Sequence, residues 1–192
     1  MLTQFVIATI LYCPGVSLKA MNAGVSAYYT SVILGYNPKP VLTVIDLTKP
    51  ADTRRTCVYD MITGQVVLYT YTAHGISSGF PLGTKFSNKP ESNQSSLGVF
   101  MTKDTYQGIK GYSMRITGLE TGFNDQVAAR HIVIHPLALN FTHYFTLGCF
   151  GFVETVAKQF INLTKNGSIV VAYYPDKRWL SMSIFLQLAR VF

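Results

Sequence analysis

Three of the chain's four histidines lie in one stretch that ends beside one of its three cysteines, HIVIHPLALNFTHYFTLGCF. A cysteine thiolate is a nucleophile, and a histidine within reach can act as its base. His135 closes the predicted strand HIVIH, and Cys149 follows Gly148, where the backbone can pass close to a substrate. The pattern suggests a catalytic cysteine–histidine pair. The alternative is a packed strand and loop that contain these residues by chance.

The same stretch also offers donors for zinc, which are Cys149, His131, His135 and His143. On a strand, however, His131 and His135 are separated by about 13 Å, which is too far for one ion. We therefore expect neither a metal nor a cofactor.

The surrounding pattern predicts a mainly β (α+β) domain with an N-terminal helix over residues 16–36 and a helix that begins just after Cys149. The free N–H groups of the second helix would lower the pKa of the thiol. Residues 75–98 form a long loop rich in Gly, Ser, Asn and Pro, and such loops often carry function. The predicted strands are VLTVIDLT, a hairpin on either side of Thr63-Gly64, VFMTKDTY, YSMRITGL, HIVIH and SIVVAYYP.

Composition limits the class of protein. The chain has 192 residues, 48% of them hydrophobic and 13% charged, which is typical of one domain with a real core. The net charge is +7, but the basic residues do not cluster, so we expect no nucleic-acid partner. Three cysteines make no disulfide framework, and Cys57 inside a strand pattern is expected to be a buried structural thiol.

The two ends of the chain differ from its centre. Residues 1–15 contain an apolar run that is too short to span a bilayer as a helix. They are a candidate export-signal remnant, but because the run lacks a positively charged flank, they could equally be an N-terminal extension. Residues 176–192 form an amphipathic tail. This tail could pack on the core or make peripheral contact with a membrane.

Several motifs occur in a specific order: AHGISSG, FSNKPESNQSSLGVFMTKDTYQGIKGYSMRITGLETGFND, ARHIVIH and TLGC. Over residues 16–175 the chain thereby resembles the murein L,D-transpeptidase catalytic domain, in the YkuD-like family. The resemblance implies a barrel-like or sandwich-like β domain. It also implies a cysteine acyltransferase that acts on peptidoglycan stem peptides in the periplasm or cell envelope, and we expect a monomer.

The family's nucleophile motif corresponds to Thr146-Leu147-Gly148-Cys149, and its histidine to His135. The resemblance implies that Cys149 attacks the carbonyl of the third stem residue and forms a thioester, with His135 as general base and acid. Amides at Gly148 and Cys149 would bind the oxyanion. Two alternatives remain, an L,D-carboxypeptidase using the same acyl-enzyme and a non-catalytic wall-binding relative.

Other matched positions are candidates for substrate binding: His74, Ser78, Ser95, Ser96, Gly98, Tyr112 and Arg115. His74 and Ser78 could equally shape a turn, and Arg115 could pair with Glu120 or Asp125 instead of a substrate carboxylate. The chain departs from the family at Pro136, at Phe150-Gly151 and in a shorter segment between His135 and Cys149. These departures lie beside the nucleophile and put substrate choice, or activity itself, in question.

Overall fold

The computed structural model describes residues 12–137 and 145–187. These residues form strands β1 (Val41–Asp46), β2 (Thr56–Asp60), β3 (Val66–Thr70), β4 (His74–Gly75), β5 (Gly98–Gly108), β6 (Gly111–Gly118), β7 (Val133–Leu137), β8 (Phe145–Thr146), β9 (Phe150–Val153) and β10 (Ile169–Tyr173). The helices among them are α1 (Leu18–Ile33), α2 (Glu154–Thr164) and α3 (Lys177–Met182), with short 3-10 turns at Ile76–Ser78 and Ile184–Leu186. None of these helices has the length and apolar character needed to cross a membrane.

Eight of the strands form one sheet in the order β3–β2–β1–β10–β5–β6–β7–β9, and β4 pairs with β8 separately. Neighbouring strands are antiparallel except in the pairs β1–β10, β7–β9 and β4–β8. Ala73, just beyond β3, exchanges backbone hydrogen bonds with Gly151 of β9 at 2.8 and 3.3 Å. The two edges of the large sheet therefore meet, and the sheet is nearly closed. The mainly β (α+β) prediction is confirmed.

Alternation along the strands divides the buried side chains between the two faces of this sheet. On β1, Leu42 and Val44 belong to the cluster that α1 covers, whereas Ile45 belongs to the cluster that α2 covers. Phe160 of α2 stacks on Phe152 of β9 with ring centroids 3.9 Å apart. Buried aromatic surface thus fixes β9 against α2.

The predicted N-terminal helix is confirmed as α1, and its start follows from its cap. The Ser17 hydroxyl accepts a hydrogen bond from the Ala20 N–H at 3.3 Å, and the Ser17 N–H donates to Asp46 at 2.8 Å. A Cβ on Gly24 would stand 2.5 Å from a methyl carbon of Val44. Glycine at this position therefore allows α1 to approach β1 closely.

The predicted helix following Cys149 is confirmed as α2, but it does not begin directly after the cysteine. Phe150–Val153 form β9, and α2 begins only at Glu154. Phe150 and Phe152 occupy alternate positions and are both fully buried, which favours a strand. A whole strand therefore separates the thiol from the N-terminus of α2, and the helix cannot stabilise a thiolate. The buried residues of α2 are Ala157, Phe160, Ile161 and Thr164.

The C-terminal segment packs on the core over residues 177–187. Trp179 of α3 is fully buried, and its Nε1–H donates to the Glu120 carboxylate at 2.9 and 3.1 Å. The same carboxylate accepts the Val99 N–H at 2.7 Å, and burial raises the pKa of Glu120. Phe185 is buried beyond α3. The packing alternative for the tail is thus confirmed for these residues.

Cys57 is not the free buried thiol that the strand pattern predicts. It forms a disulfide with Cys13, 44 positions earlier in the chain. Both residues lie in the cluster that α1 covers. The pairing depends on the fold, which brings the two Cα atoms to 6.6 Å, so no spacing rule could reveal it. Cys149 is a free cysteine.

Candidate active site

Cys149 lies directly before β9, beside the start of β7. The parallel register of β7 and β9 pairs Ile134 with Phe150 and His135 with Gly151. Continued by one residue, this register places Cys149 opposite Val133, and the Val133 N–H donates to the Cys149 sulfur at 3.5 Å. The thiol lies 3.6 Å from the backbone oxygen of His131. The backbone at the start of β7 therefore forms one wall around the thiol.

His135 shares the face of the sheet on which Cys149 lies. Its pairing partner Gly151 has no side chain, and the two positions, Cys149 and His135, are diagonal neighbours on adjacent strands. Such neighbours have Cβ atoms roughly 8 Å apart, within reach of a thiol and an imidazole. The His135 Nδ1–H donates to the backbone oxygen of Pro136 at 2.8 Å. A backbone carbonyl thus orients the ring and leaves Nε2 as the basic nitrogen.

The thiol and the imidazole are both shifted toward their neutral forms. Burial raises the pKa of Cys149. The Val133 N–H and the charges of Arg130 and Lys110 lower this pKa, but their effect is smaller than that of burial. Burial lowers the pKa of His135, and Lys110 lowers it further, while the Pro136 carbonyl opposes the shift. The expectation of a low thiol pKa is therefore wrong, because the helix terminus that would cause it is absent from this position.

The turn before Cys149 is fixed by its own hydrogen bonds. The Thr146 hydroxyl accepts the Gly148 N–H at 3.1 Å and donates to the Cys149 backbone oxygen at 2.6 Å. Gly148 has φ +121°, and a Cβ there would stand 2.7 Å from Ile132. Glycine is thus required at this turn. The Gly148 N–H already donates a hydrogen bond to Thr146, whereas the Cys149 N–H points toward its own sulfur and lowers the pKa of the thiol. Of the two amides predicted to bind the oxyanion, the Cys149 N–H is therefore the better donor.

The AHGISSG and SSLG motifs lie behind this turn and hold it in place. The Ser95 hydroxyl accepts the Gly75 N–H at 2.9 Å and donates to the Gly148 oxygen at 3.0 Å. The Ser95 N–H donates to the Ser78 hydroxyl at 3.0 Å, and Ser78 and Ser95 are both fully buried. Strands β4 and β8 also pair here, His74 with Phe145. These contacts connect the long loop to the nucleophile turn.

His74 is buried between a cation and a carbonyl. The Arg55 guanidinium donates a hydrogen bond to Nδ1 of His74 at 2.7 Å, and the Nε2–H of His74 donates to the Gly79 backbone oxygen at 2.6 Å. Burial, followed by the charge of Arg55, lowers the pKa of His74 to about 4. The ring is therefore neutral at physiological pH, and both of its nitrogens are used within the protein.

Arg130 is a further candidate site residue, which the sequence analysis did not single out. Its guanidinium donates to the backbone oxygens of Ser87 and Gln94, each at 2.6 Å, and to the hydroxyls of Ser96 at 2.6 Å and Ser92 at 3.1 Å. All four acceptors are serine hydroxyls or backbone oxygens, and three of them lie within residues 92–96. Arg130 thus ties the long loop together.

The Arg130 guanidinium also reaches the nucleophile turn. One of its nitrogens stands 3.4 Å from the place of a Gly148 Cβ, and its charge lowers the pKa of Cys149. The only signal in the sequence is a basic residue just before a predicted active-site strand. Its partners are mostly polar groups of a loop, and no spacing motif encodes them.

The remaining candidate residues do not all face the thiol. Tyr112 lies on the side of β6 that α2 covers, and its hydroxyl donates to Asn162 at 3.1 Å. Gly98 has φ +108° and lies against Glu120, where a Cβ would stand 2.2 Å from a carboxylate oxygen. Ser96 is buried, and its hydroxyl donates a hydrogen bond to the backbone oxygen of Ser87 at 2.9 Å. In the described part of the chain, none of these three side chains forms a hydrogen bond or an ion pair with Cys149.

Arg115 lies in the same row of the sheet as Cys149. The register pairs Arg115 of β6 with Val133, so that Arg115, Val133 and Cys149 form one row across three strands. Arg115 forms its ion pair with Asp104, not with Glu120 or Asp125 as the sequence suggested.

The predicted strand face does not include His131. This residue has φ +53° and lies exposed in the turn before β7. Within residues 12–137 and 145–187, no three His, Cys, Asp or Glu side chains are grouped in a way that could hold a metal ion. His143, the fourth donor considered for zinc, lies outside the described residues.

The sequence and the fold are similar to those of known proteins. The family model described as "L,D-transpeptidase catalytic domain" matches residues 13–173. No curated protein sequence matches the chain. Among solved structures, an L,D-transpeptidase from Mycobacterium smegmatis shares 15% identity, with a TM-score of 0.45 over 70% of this chain and 59% of that one. A mutant L,D-transpeptidase of Enterococcus faecium shares 16% identity, with a TM-score of 0.42 over 71% and 50%.

The chain spans between half and three fifths of the length of these solved structures. The family assignment therefore rests on the domain match, which covers most of the chain. The nearly closed, mainly β sheet and the motif positions agree with that match. The chain belongs to the YkuD-like L,D-transpeptidase catalytic domain family.

Proposed function

We propose that the protein is a cysteine-dependent L,D-transpeptidase that acts on peptidoglycan stem peptides through a thioester at Cys149. The observation that carries this proposal is the β7–β9 register, which puts the free thiol of Cys149 and the imidazole of His135 on one face as diagonal neighbours. Pair geometry of this kind supports covalent acyl transfer.

The neutral resting forms of both groups favour general base catalysis over a preformed ion pair. As the Cys149 sulfur attacks the carbonyl carbon of the third stem residue, its proton passes to Nε2 of His135. The Cys149 N–H stabilises the resulting oxyanion. The bond to the D-residue then breaks, and Nε2 returns the proton to the leaving amine.

The second half of the reaction reverses these roles. An amine from another stem gives a proton to His135 and attacks the thioester carbonyl. The carbon–sulfur bond breaks, and the proton returns to the sulfur. Water in place of the amine would give an L,D-carboxypeptidase by the same acyl-enzyme.

Two whole-chain properties support a site of action in the cell envelope. The Cys13–Cys57 disulfide is typical of oxidising compartments outside the cytoplasm. The net charge of +7 suits a wall polymer that carries carboxylates.

Intact-protein mass spectrometry tests the proposal. Wild type, Cys149→Ala and His135→Ala are incubated with a stem tetrapeptide or with a carbapenem. We expect an adduct on wild type, none on Cys149→Ala, and slower formation on His135→Ala. Release of the D-residue with and without an added amine acceptor separates transpeptidase from carboxypeptidase activity. No adduct on folded wild type with a titratable thiol would instead favour a non-catalytic wall-binding protein.

A further inference from the structure

A cavity of about 380 Å³, in the size range of small-molecule sites, lies against the start of β7, the segment whose backbone contacts Cys149. Its wall includes residues 131–133, and the His131 oxygen and the Val133 N–H of that segment are the two groups that contact the Cys149 sulfur. A ligand in the cavity would therefore lie against the backbone that holds the thiol.

The cavity has one strongly charged lining group, the Arg115 guanidinium. Its central carbon lies 4.3 Å from the centroid of the Tyr106 ring, so that the ring supports it from one side. A planar guanidinium held in this way is well arranged to bind a carboxylate through two hydrogen bonds.

The present partner of Arg115 is easily exchanged. Arg115 is ion-paired with Asp104, but the two side chains are 51% and 64% exposed. Exposed ion pairs contribute little to stability, because water screens the charges and competes for the hydrogen bonds. A carboxylate delivered by a ligand could therefore replace that of Asp104 without disturbing the fold.

Besides Arg115, Tyr106 and His131, the lining residues are apolar. These are Ile116, Val127, Ala128, Ile132 and Val133. Together with Arg115, they fit a carboxylate at the end of a short aliphatic chain.

The register also indicates which part of a substrate reaches this cavity. His135, which would protonate the leaving amine, lies two residues further along β7 than Val133, the residue paired with Arg115. The leaving D-residue would therefore depart toward His135, and the cavity would receive the part that stays on the enzyme.

We propose that this cavity binds a free carboxylate on the acyl half of the donor stem peptide, with Arg115 exchanging Asp104 for it. The inference rests on the proposed function and adds a substrate class, namely stems that carry an unmodified acidic group before the cleaved bond. Stems in which that carboxylate is a primary amide would bind less well.

The test compares two tetrapeptides that differ only by free acid and primary amide in the acyl half. Binding to Cys149→Ala is measured by calorimetry. We expect the acid to bind about tenfold more tightly than the amide, since hydrogen bonds to charged groups are the stronger ones. Adding Arg115→Gln should remove this preference, so that the acid and the amide peptide bind about equally.

Two further variants sharpen the result. Asp104→Asn removes the competing carboxylate and should tighten binding of the acid peptide. Arg54→Gln is the matched control, because Arg54 stacks over Tyr69 and Tyr71 and lies outside the cavity lining. It should change neither affinity.

Three outcomes would overturn the inference: equal affinity for the two peptides, a loss of both in Arg115→Gln, or no binding of either. Acylation of wild-type Cys149 by the amide tetrapeptide, followed by intact-protein mass spectrometry, involves no acidic group in the acyl half. It therefore shows separately whether the proposed acyl-enzyme chemistry holds.

Discussion

The Cys149 thiol lies between opposing electrostatic influences. Burial disfavours the thiolate, and the nearby charges of Arg130 and Lys110 favour it. Since the guanidinium of Arg130 is also held by four hydrogen bonds, its position relative to the thiol is fixed. The reactivity of Cys149 should then depend on Arg130 even in the absence of substrate.

Alkylation by iodoacetamide measures this dependence, because only the thiolate reacts and Cys13 and Cys57 are paired. In Arg130→Gln we expect the midpoint of the pH–rate profile to move upward, and each unit of movement lowers the rate at pH 7 about tenfold. Arg130→Lys should recover part of the effect, because it keeps the charge but loses the planar fork.

Arg178→Gln provides the control for loss of one arginine, since Arg178 lies on α3 and stacks over the Phe123 ring. An unchanged midpoint in Arg130→Gln, with normal folding, would show that Arg130 does not act on the thiol. A shift of the same size in Arg178→Gln would mean that net charge alone is responsible.

At the scale of elements, the buried His74 connects β4 to the long loop and to Arg55. Its folded-state pKa of about 4 lies below the ordinary value of 6.5. The unfolded chain therefore takes up a proton as the pH falls through 6.5, while the folded chain does not until about 4. The contribution of His74 to the free energy of unfolding is therefore fully present above pH 6.5, and it falls by roughly 3 kcal/mol as the pH decreases to 4.

Urea unfolding at pH 7 and pH 4.5 checks this linkage. Wild type should lose stability between the two, and His74→Gln, which keeps an acceptor for Arg55, should lose distinctly less. His131→Gln, which removes an exposed histidine instead, controls for the change in composition. If His74→Gln and wild type show the same difference between the two pH values, His74 is not the group responsible.

Elements with a long, regular pattern were predictable from the sequence. The helix after Ser17 and the strands on either side of Thr63-Gly64 lie where capping and alternation place them. Strand β9 was missed because it is four residues long and because Val153, Val156, Phe160 and Leu163, from its last residue onward, have helical spacing.

The candidate site was predictable only in part. Cys149 and His135 stand out by residue type and by the TLGC and IVIH motifs. The roles of Arg130 and of the Pro136 carbonyl depend on backbone groups that tertiary folding brings together, and such partners leave no pattern in the chain.

At the scale of the whole molecule, the Cys13–Cys57 disulfide ties the entry of α1 to β2 across 44 positions. Closing a loop of that length restricts the unfolded chain and contributes about 4 kcal/mol in the chain-entropy description. The double variant Cys13→Ser/Cys57→Ser should therefore lower the free energy of unfolding by about that amount, measured by urea denaturation without reductant.

Carbapenem labelling of Cys149 in the same double variant provides the companion measurement. Because the disulfide lies in the cluster on the face that α1 covers, labelling should persist at temperatures where the variant stays folded. A change below about 1 kcal/mol in unfolding free energy would argue that the disulfide does not constrain the unfolded chain.

The parallel ladder between β7 and β9 sets the relative position of His135 and Cys149 through backbone hydrogen bonds. The segment that connects these strands therefore does not determine the spacing between the two residues. In evolutionary terms, the connection can lengthen, shorten or change composition while the chemistry persists, so a short connection is compatible with a working pair. For the same reason it is a natural position at which to graft a new recognition loop onto this scaffold.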